Sequence, residues 1–141
     1  MKRPHYIKHW KDIEPAEQVR PPIMDEPFGY VSEFALEANI SHLRVAHMRL
    51  PPGVRGYPPM ALRSLEIFAF VLQGAPDLWV DGYLHRLKEG DGVCFNARTG
   101  IAHTLLNNTK KDVRILTFTE PVSLMGRAVH QIGRASCRER V

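Results

Sequence analysis

The chain is predicted to be all-β from about residue 40 onward, and three observations carry that prediction. Turn signals recur roughly every ten residues, as expected of a sandwich or barrel. An Asp81-Gly82 pair sits between β-formers, the strongest short hairpin signal, because a type I′ turn needs positive φ at both central residues. Residues 112–119 alternate, with Val113, Ile115 and Thr117 on one side and Arg114, Leu116 and Phe118 on the other. No segment after residue 40 sustains a 3.6-residue period.

In chain order, residues 1–39 read as an irregular arm packing on a core, broken by Pro4, Pro15, Pro21, Pro22 and Pro27. A helical turn or two is expected around residues 10–18, with Asp12 as N-cap and Glu14 and Glu17 near the start. Trp10 is expected to cover one barrel end. The first strand is predicted over residues 42–50, closed by Pro51-Pro52-Gly53. A second runs over residues 66–73 to Gly74, and a hairpin over residues 78–85. Gly90-Asp91-Gly92 turns the chain into residues 93–95; residues 103–106 follow, then Asn107-Asn108 and the strand at 112–119. The barrel is thus placed at 40–121, followed by an extension at 122–131.

Residues 132–141 (IGRASCRERV) resemble the in-frame translation of a sequencing-adapter read, and are set aside as an artefact. They hold three Arg and one Glu, half of the formal charge of +4. What remains is too little for a nucleic-acid footprint. The natural chain is expected to continue past Gln131. With Cys137 set aside, Cys94 stands alone and no intrachain disulfide is available. It reads as a small hydrophobe in a buried strand position. The N-terminus has no apolar signal region, and the longest apolar run, residues 67–72, is far short of the ~20 residues that cross a bilayer. A cytoplasmic location without membrane or nucleic-acid partners is therefore expected. The 141 residues, 44% hydrophobic and 24% charged, suit one globular domain.

Residues 52–108 carry two further patterns. The first comprises Pro52-Gly53, Met60, Leu62, Glu66 and Gly74; the second comprises Gly90-Asp91, Asn96, Arg98, Gly100, His103 and Asn107. Their spacing resembles the two motifs of the cupin superfamily, P-G-x(5–6)-H-x-H-x(3–4)-E-x(6–7)-G and G-D-x(4)-P-x-G-x(2–4)-H-x(3)-N. The resemblance implies a double-stranded β-helix, a small jelly-roll barrel. It also implies a metal held by two His and a Glu of the first motif and a His of the second. Here Glu66 and His103 occupy ligand positions, but the paired His positions fall on Met60 and Leu62. Leu ligates nothing, and a thioether suits Fe²⁺ or Mn²⁺ poorly. Asn96 replaces the second motif's Pro and Arg98 its Gly.

A degenerate metal site, with no cofactor, is therefore expected; any metal would be Fe, Mn, Ni or Zn. Alternation combined with the resemblance puts Glu66, Phe68, Phe70 and Leu72 inside the barrel, where a carboxylate needs a partner. His103 is the expected partner. Glu66 and His103 are the catalytic candidates, and Glu66, Phe68, His103, Arg98 and Met60 the ligand-contacting set. Arg98 reads either as recognising an anionic group or as a solvated loop residue. His5, His9, His42, His47 and His85 lack metal spacing, and His85 reads as exposed hairpin surface. The leading expectation is a small-molecule-binding or vestigial cupin. The alternatives are a metal-dependent dioxygenase or isomerase, with His47 supplying a substitute ligand, and a structural or regulatory dimer module with a filled barrel. Homodimerisation is left open by the resemblance.

Overall fold

Turn chemistry sets the strand boundaries. The computed structural model describes residues 2–22, 24–57, 66–96 and 100–120. Asp81 and Gly82 have φ of 50° and 83°, the left-handed pair of a type I′ turn, and join β4 (Asp77–Val80) to β5 (Tyr83–Arg86). Gly90, at φ 93°, precedes β6 (Gly92–Phe95). Gly74, at φ 90°, ends β3 (Ile67–Gln73); a Cβ there would meet Val113 Cγ2 at 2.9 Å, so only glycine fits without displacement. The remaining strands of this region are β2 (Arg44–Leu50), β7 (His103–Leu106) and β8 (Val113–Thr119). The expected strands are all present, with ends shifted by one or two residues.

The N-terminal arm is more ordered than its prolines suggest. It holds a short helix, α1 (Trp10–Ile13), capped by the His9 side chain, whose Nδ1 accepts from the Lys11 backbone N–H. The cap is thus His9 and not Asp12, which lies inside the helix. Further on, β1 (Tyr30–Glu33) pairs antiparallel with β2 and is followed by α2 (Phe34–Glu37). Four residues of the arm therefore form an edge strand of the barrel.

Two antiparallel sheets result. The larger runs β1-β2-β8-β3-β6 and the smaller β5-β4-β7. Between them lies the core of Met48, Leu50, Ala69, Leu78, Leu105, Val113 and Ile115. Cross-strand register fixes which side chains face it. Ala46, Met48 and Leu50 stand opposite Thr117, Ile115 and Val113, while Ala69 and Val71 stand opposite Thr117 and Ile115. Because side chains alternate along a strand, Val45, His47, Arg49, Phe68, Phe70, Arg114, Leu116 and Phe118 occupy the outer face. The architecture is the expected all-β double-sheet barrel. No helix among the described residues is long and apolar enough to cross a membrane.

Asn107 ties the end of the barrel together. Its side-chain N–H₂ donates to Leu50 O at 2.8 Å and Lys111 O at 2.7 Å, and its Oδ1 accepts from Thr109 N at 2.9 Å. It is fully buried. Replacing Asn107 by Ala removes the side-chain partners of the Leu50 carbonyl and the Thr109 N–H and one of two donors to the Lys111 carbonyl, so urea denaturation of the variant should show a loss of about 2–3 kcal/mol.

Candidate functional site

His103 lies on the inner face of the smaller sheet, opposite Val80 on β4 and in phase with Leu105. It is 3% exposed. The Phe95 ring, projecting inward from β6, stacks on it at 3.6 Å with planes 6° apart. The Tyr57 hydroxyl, from the loop after β2, lies 3.0 Å from His103 Nδ1. Thr104 Oγ1 donates to the Tyr57 backbone carbonyl and so fixes the loop that carries the phenol.

Burial decides the charge of this pair. It lowers the His103 pKa from 6.5 to about 4 and raises that of the Tyr57 phenol, so both are neutral near neutral pH. In one tautomer the phenol donates to Nδ1 and leaves Nε2–H as a donor; in the other Nδ1–H donates to the phenol and Nε2 accepts. Either way the pair offers directed hydrogen bonding without charge. An imidazole with so low a pKa is a weak general base.

Glu66 does not join His103. It is exposed, and no hydrogen bond or ion pair links the two among the described residues. The expectation that Glu66, Phe68, Phe70 and Leu72 point inward is overturned by the pairing of β3. Ile67, Ala69 and Val71 face the core, and Phe68 and Phe70 stack on one another outside, with Phe68 also against Phe118. The cause is a one-residue offset. Seven residues separate Glu66 from Gly74, and with six the carboxylate would occupy the inward position of Ile67. Near its end β3 is bulged, so that Leu72 and Gln73 together oppose Arg114. Cys94 is exposed rather than buried for the same reason of parity, since Val93 and Phe95 take the inward positions of β6.

Glu66 and Phe68 instead line a cleft of about 400 Å³ at the barrel's end, with His42, Leu43, Phe95 and Phe118 among its walls. Phe95 belongs to both places: it lines the cleft and stacks on His103. Met60, Leu62 and Arg98 lie outside the described residues, as does the segment at 132–141.

His47 cannot serve as a substitute ligand in the barrel, because β2 turns it to the outer face. There Trp10 stacks on it at 4.3 Å, and its Nε2 accepts from Arg114 Nε at 2.9 Å. Trp10 thus anchors the arm on the side of the larger sheet rather than closing a barrel end. The Trp10 carbonyl also accepts from Ser32 Oγ. Burial and the nearby Arg114 hold the His47 pKa at about 4. Its Nδ1 has no hydrogen-bond partner among the described residues.

The described residues do not fit a cupin metal. His103 is their only buried imidazole on the inner face, since His85, paired with Leu78, is exposed on the edge strand; the His103 Nδ1 is engaged by Tyr57, and no group of three His, Cys, Asp or Glu among them converges. Sequence reasoning missed Tyr57 and Phe95 as companions of His103. The alternation of β6 from Gly92 onward could have indicated Phe95; no local pattern marks Tyr57.

A family model described as the cupin domain matches residues 46–119, more than half of the chain. The chain belongs to the cupin family. No curated protein matches it by sequence. Solved structures do match, at identities that speak to fold alone. A cupin-superfamily sugar phosphate isomerase from Silicibacter pomeroyi has a TM-score of 0.63 at 23% identity, over 65% of this chain and 59% of that one. The polyketide cyclase RemF from Streptomyces resistomycificus also has a TM-score of 0.63, at 18% identity, over 85% of this chain and 79% of that one. A predicted oxalate decarboxylase from Thermotoga maritima follows at 0.56 and 17%, over 66% of this chain and 80% of that one. This cupin spans less than two thirds of the length of the isomerase.

The two buried imidazoles make stability depend on pH. In the unfolded chain each takes up a proton as pH falls through 6.5, whereas in the folded cupin each resists until about 4. The folded state therefore loses stability progressively between those values, on the order of 3 kcal/mol per imidazole. Thermal denaturation should show this fall, and His103→Gln should reduce it by about half, leaving the contribution of His47. A melting temperature constant across the window would contradict the burial of both rings.

Proposed function

We propose that this cupin binds a small, uncharged, largely apolar molecule in its barrel, held by the His103–Tyr57 pair, without a complete metal centre. The observation that supports this best is the parity of β3, which turns Ile67, Ala69 and Val71 inward, together with the exposure of Glu66 just before the strand. The carboxylate that a metal would need makes no hydrogen bond or ion pair with His103 among the described residues. Among the described residues the charged groups on the inner face are Arg44 and Glu33, which neutralise one another in an ion pair at the sheet's edge. A phosphorylated or carboxylated ligand would find no free cation among those described residues. A ligand with an apolar body and one hydroxyl or carbonyl would find aromatic surface at Phe95 and one neutral donor or acceptor at His103.

On this reading Tyr57 fixes the imidazole, Phe95 sets its plane, and His103 Nε2 orients the ligand's polar group. A hydrogen bond to a neutral group in such a site is worth roughly 1 kcal/mol. Tyr57→Phe should therefore weaken binding about fivefold, through a less firmly held ring, while His103→Phe should weaken it more.

Two measurements on the purified chain test the proposal. Elemental analysis should find iron, manganese, nickel and zinc well below one per chain. Ligand-observed NMR with a set of neutral aromatic alcohols and ketones should find binders that His103→Phe abolishes. One equivalent of a metal, lost on His103→Ala, would overturn the metal-free reading; binding that is indifferent to His103 would overturn the assignment of the pair.

A further inference from the structure

The outer face of the larger sheet holds a second arrangement, remote from the barrel interior and independent of the proposal above. In one cross-strand row Arg49 on β2 stands directly opposite Arg114 on β8. Like charges in such positions repel, so the row is costly unless each cation is neutralised. Arg49 is neutralised: Glu14 takes its Nε and Nη2 in a two-pronged pair at 2.8–3.2 Å, and Asp112 accepts from Nη1 at 3.3 Å.

Arg114 is held but not neutralised. Its Nε donates to the neutral imidazole of His47, Nη1 reaches Gln73 Oε1 at 3.5 Å, and its guanidinium carbon lies 4.6 Å from the Trp10 ring centre. Among the described residues no carboxylate pairs with it. Stacking and the His47 bond fix the guanidinium plane, yet its charge and part of its donor fork remain unspent. A pre-oriented guanidinium without a carboxylate is the usual receptor for a planar or tetrahedral oxyanion.

The surroundings fit that role. A cleft of about 390 Å³ opens at this point, walled by Trp10, Lys11, Arg49, Gln73, Asp112 and Arg114. The Lys11 ammonium lies 5.6 Å from the Trp10 ring centre and also has no carboxylate partner among the described residues. The two acidic groups nearby, Glu14 and Asp112, are both committed to Arg49. Three cations thus meet two carboxylates, leaving one positive charge with Arg114 and Lys11 as its open bearers.

We propose that this cleft is an oxyanion-binding site, which takes the phosphoryl or carboxylate group of a small molecule between Arg114 and Lys11. Lys11 belongs to the N-terminal arm and Arg114 to the sheet, so an anion joining them clamps the arm onto the barrel. By linkage, binding then stabilises the docked arm.

The test is a titration of the full chain with inorganic phosphate and, separately, with acetate, followed by the NMR shifts of Arg114 Nε–H and the Trp10 indole N–H. Sodium chloride at matched ionic strength is the control. Phosphate should move both signals saturably in the millimolar range or below, and chloride should not. Saturation by acetate as well would assign the site to oxyanions generally, and saturation by phosphate alone would assign it to phosphoryl groups. Lys11→Gln alters an exposed side chain and leaves the Trp10–His47–Arg114 stack in place. It should weaken binding about three- to tenfold, the loss of one charge-assisted contact. Arg114→Lys keeps the charge but loses the fork, and should weaken binding further at an unchanged fold. Shifts that fail to saturate with phosphate, that chloride reproduces, or that are unaltered in Lys11→Gln would each overturn the proposal.

Discussion

The two-residue period of β3, locked by β8 on one side and β6 on the other, is the constraint on which the rest of the structure depends. Ala69 and Val71 are buried against the core only in this register, opposite Thr117 and Ile115. Shifting the strand by one residue would bring Phe68 and Phe70 into the space filled by an alanine and a valine, and expel those two to solvent. A slip of that kind inverts every side chain on the strand, and close-packed interiors do not absorb such changes in volume. Glu66 has no freedom of its own in this matter. It lies on the outside because its neighbours must lie within.

From that single constraint the character of each face follows. Inside, His103 is left with a phenol and a phenyl ring as companions, and burial keeps it uncharged. Outside, the aromatic row of Phe68, Phe70 and Phe118 adjoins a polar corner in which Trp10, His47 and Arg114 stack. The N-terminal arm is fastened to that corner by a carbonyl on Ser32, an indole on His47 and a carboxylate on Arg49. Among the described residues the unpaired cations at this corner are thus on the outer surface, while the inner face carries the neutral His103–Tyr57 pair and the self-neutralised Arg44–Glu33 pair.

Much of the fold was legible from turn residues. Asp81-Gly82, Gly74 and Gly90 adopt backbone angles that other residues take only at a cost, so they announce strand ends wherever they occur. The strand at Tyr30–Glu33 was not legible, because four residues flanked by Pro27 and a helical turn show no usable alternation. The site was legible only in part. His103 is singled out by the motif that carries it, and the structure buries it on the inner face of the smaller sheet. Glu66 was misplaced because the motif tolerates six or seven residues before its glycine, while a β-strand tolerates no such latitude: odd and even spacings lead to opposite faces. His47 was misplaced for a related reason, since adjacency of strands says nothing about which face a side chain takes. Tyr57 had no signal at all, as its contact with His103 spans 46 residues and depends on how a loop folds back.

The face taken by residue 66 can be measured directly by thiol labelling. Single cysteines introduced as Glu66→Cys, Phe68→Cys and Ala69→Cys, in a Cys94→Ser, Cys137→Ser background, would be exposed to a maleimide under native conditions. The thiols at positions 66 and 68 should react at rates close to those of the unfolded chain, and the thiol at 69 should be strongly protected. Protection at 66 together with rapid reaction at 69 would mean that the carboxylate faces the barrel after all, beside His103.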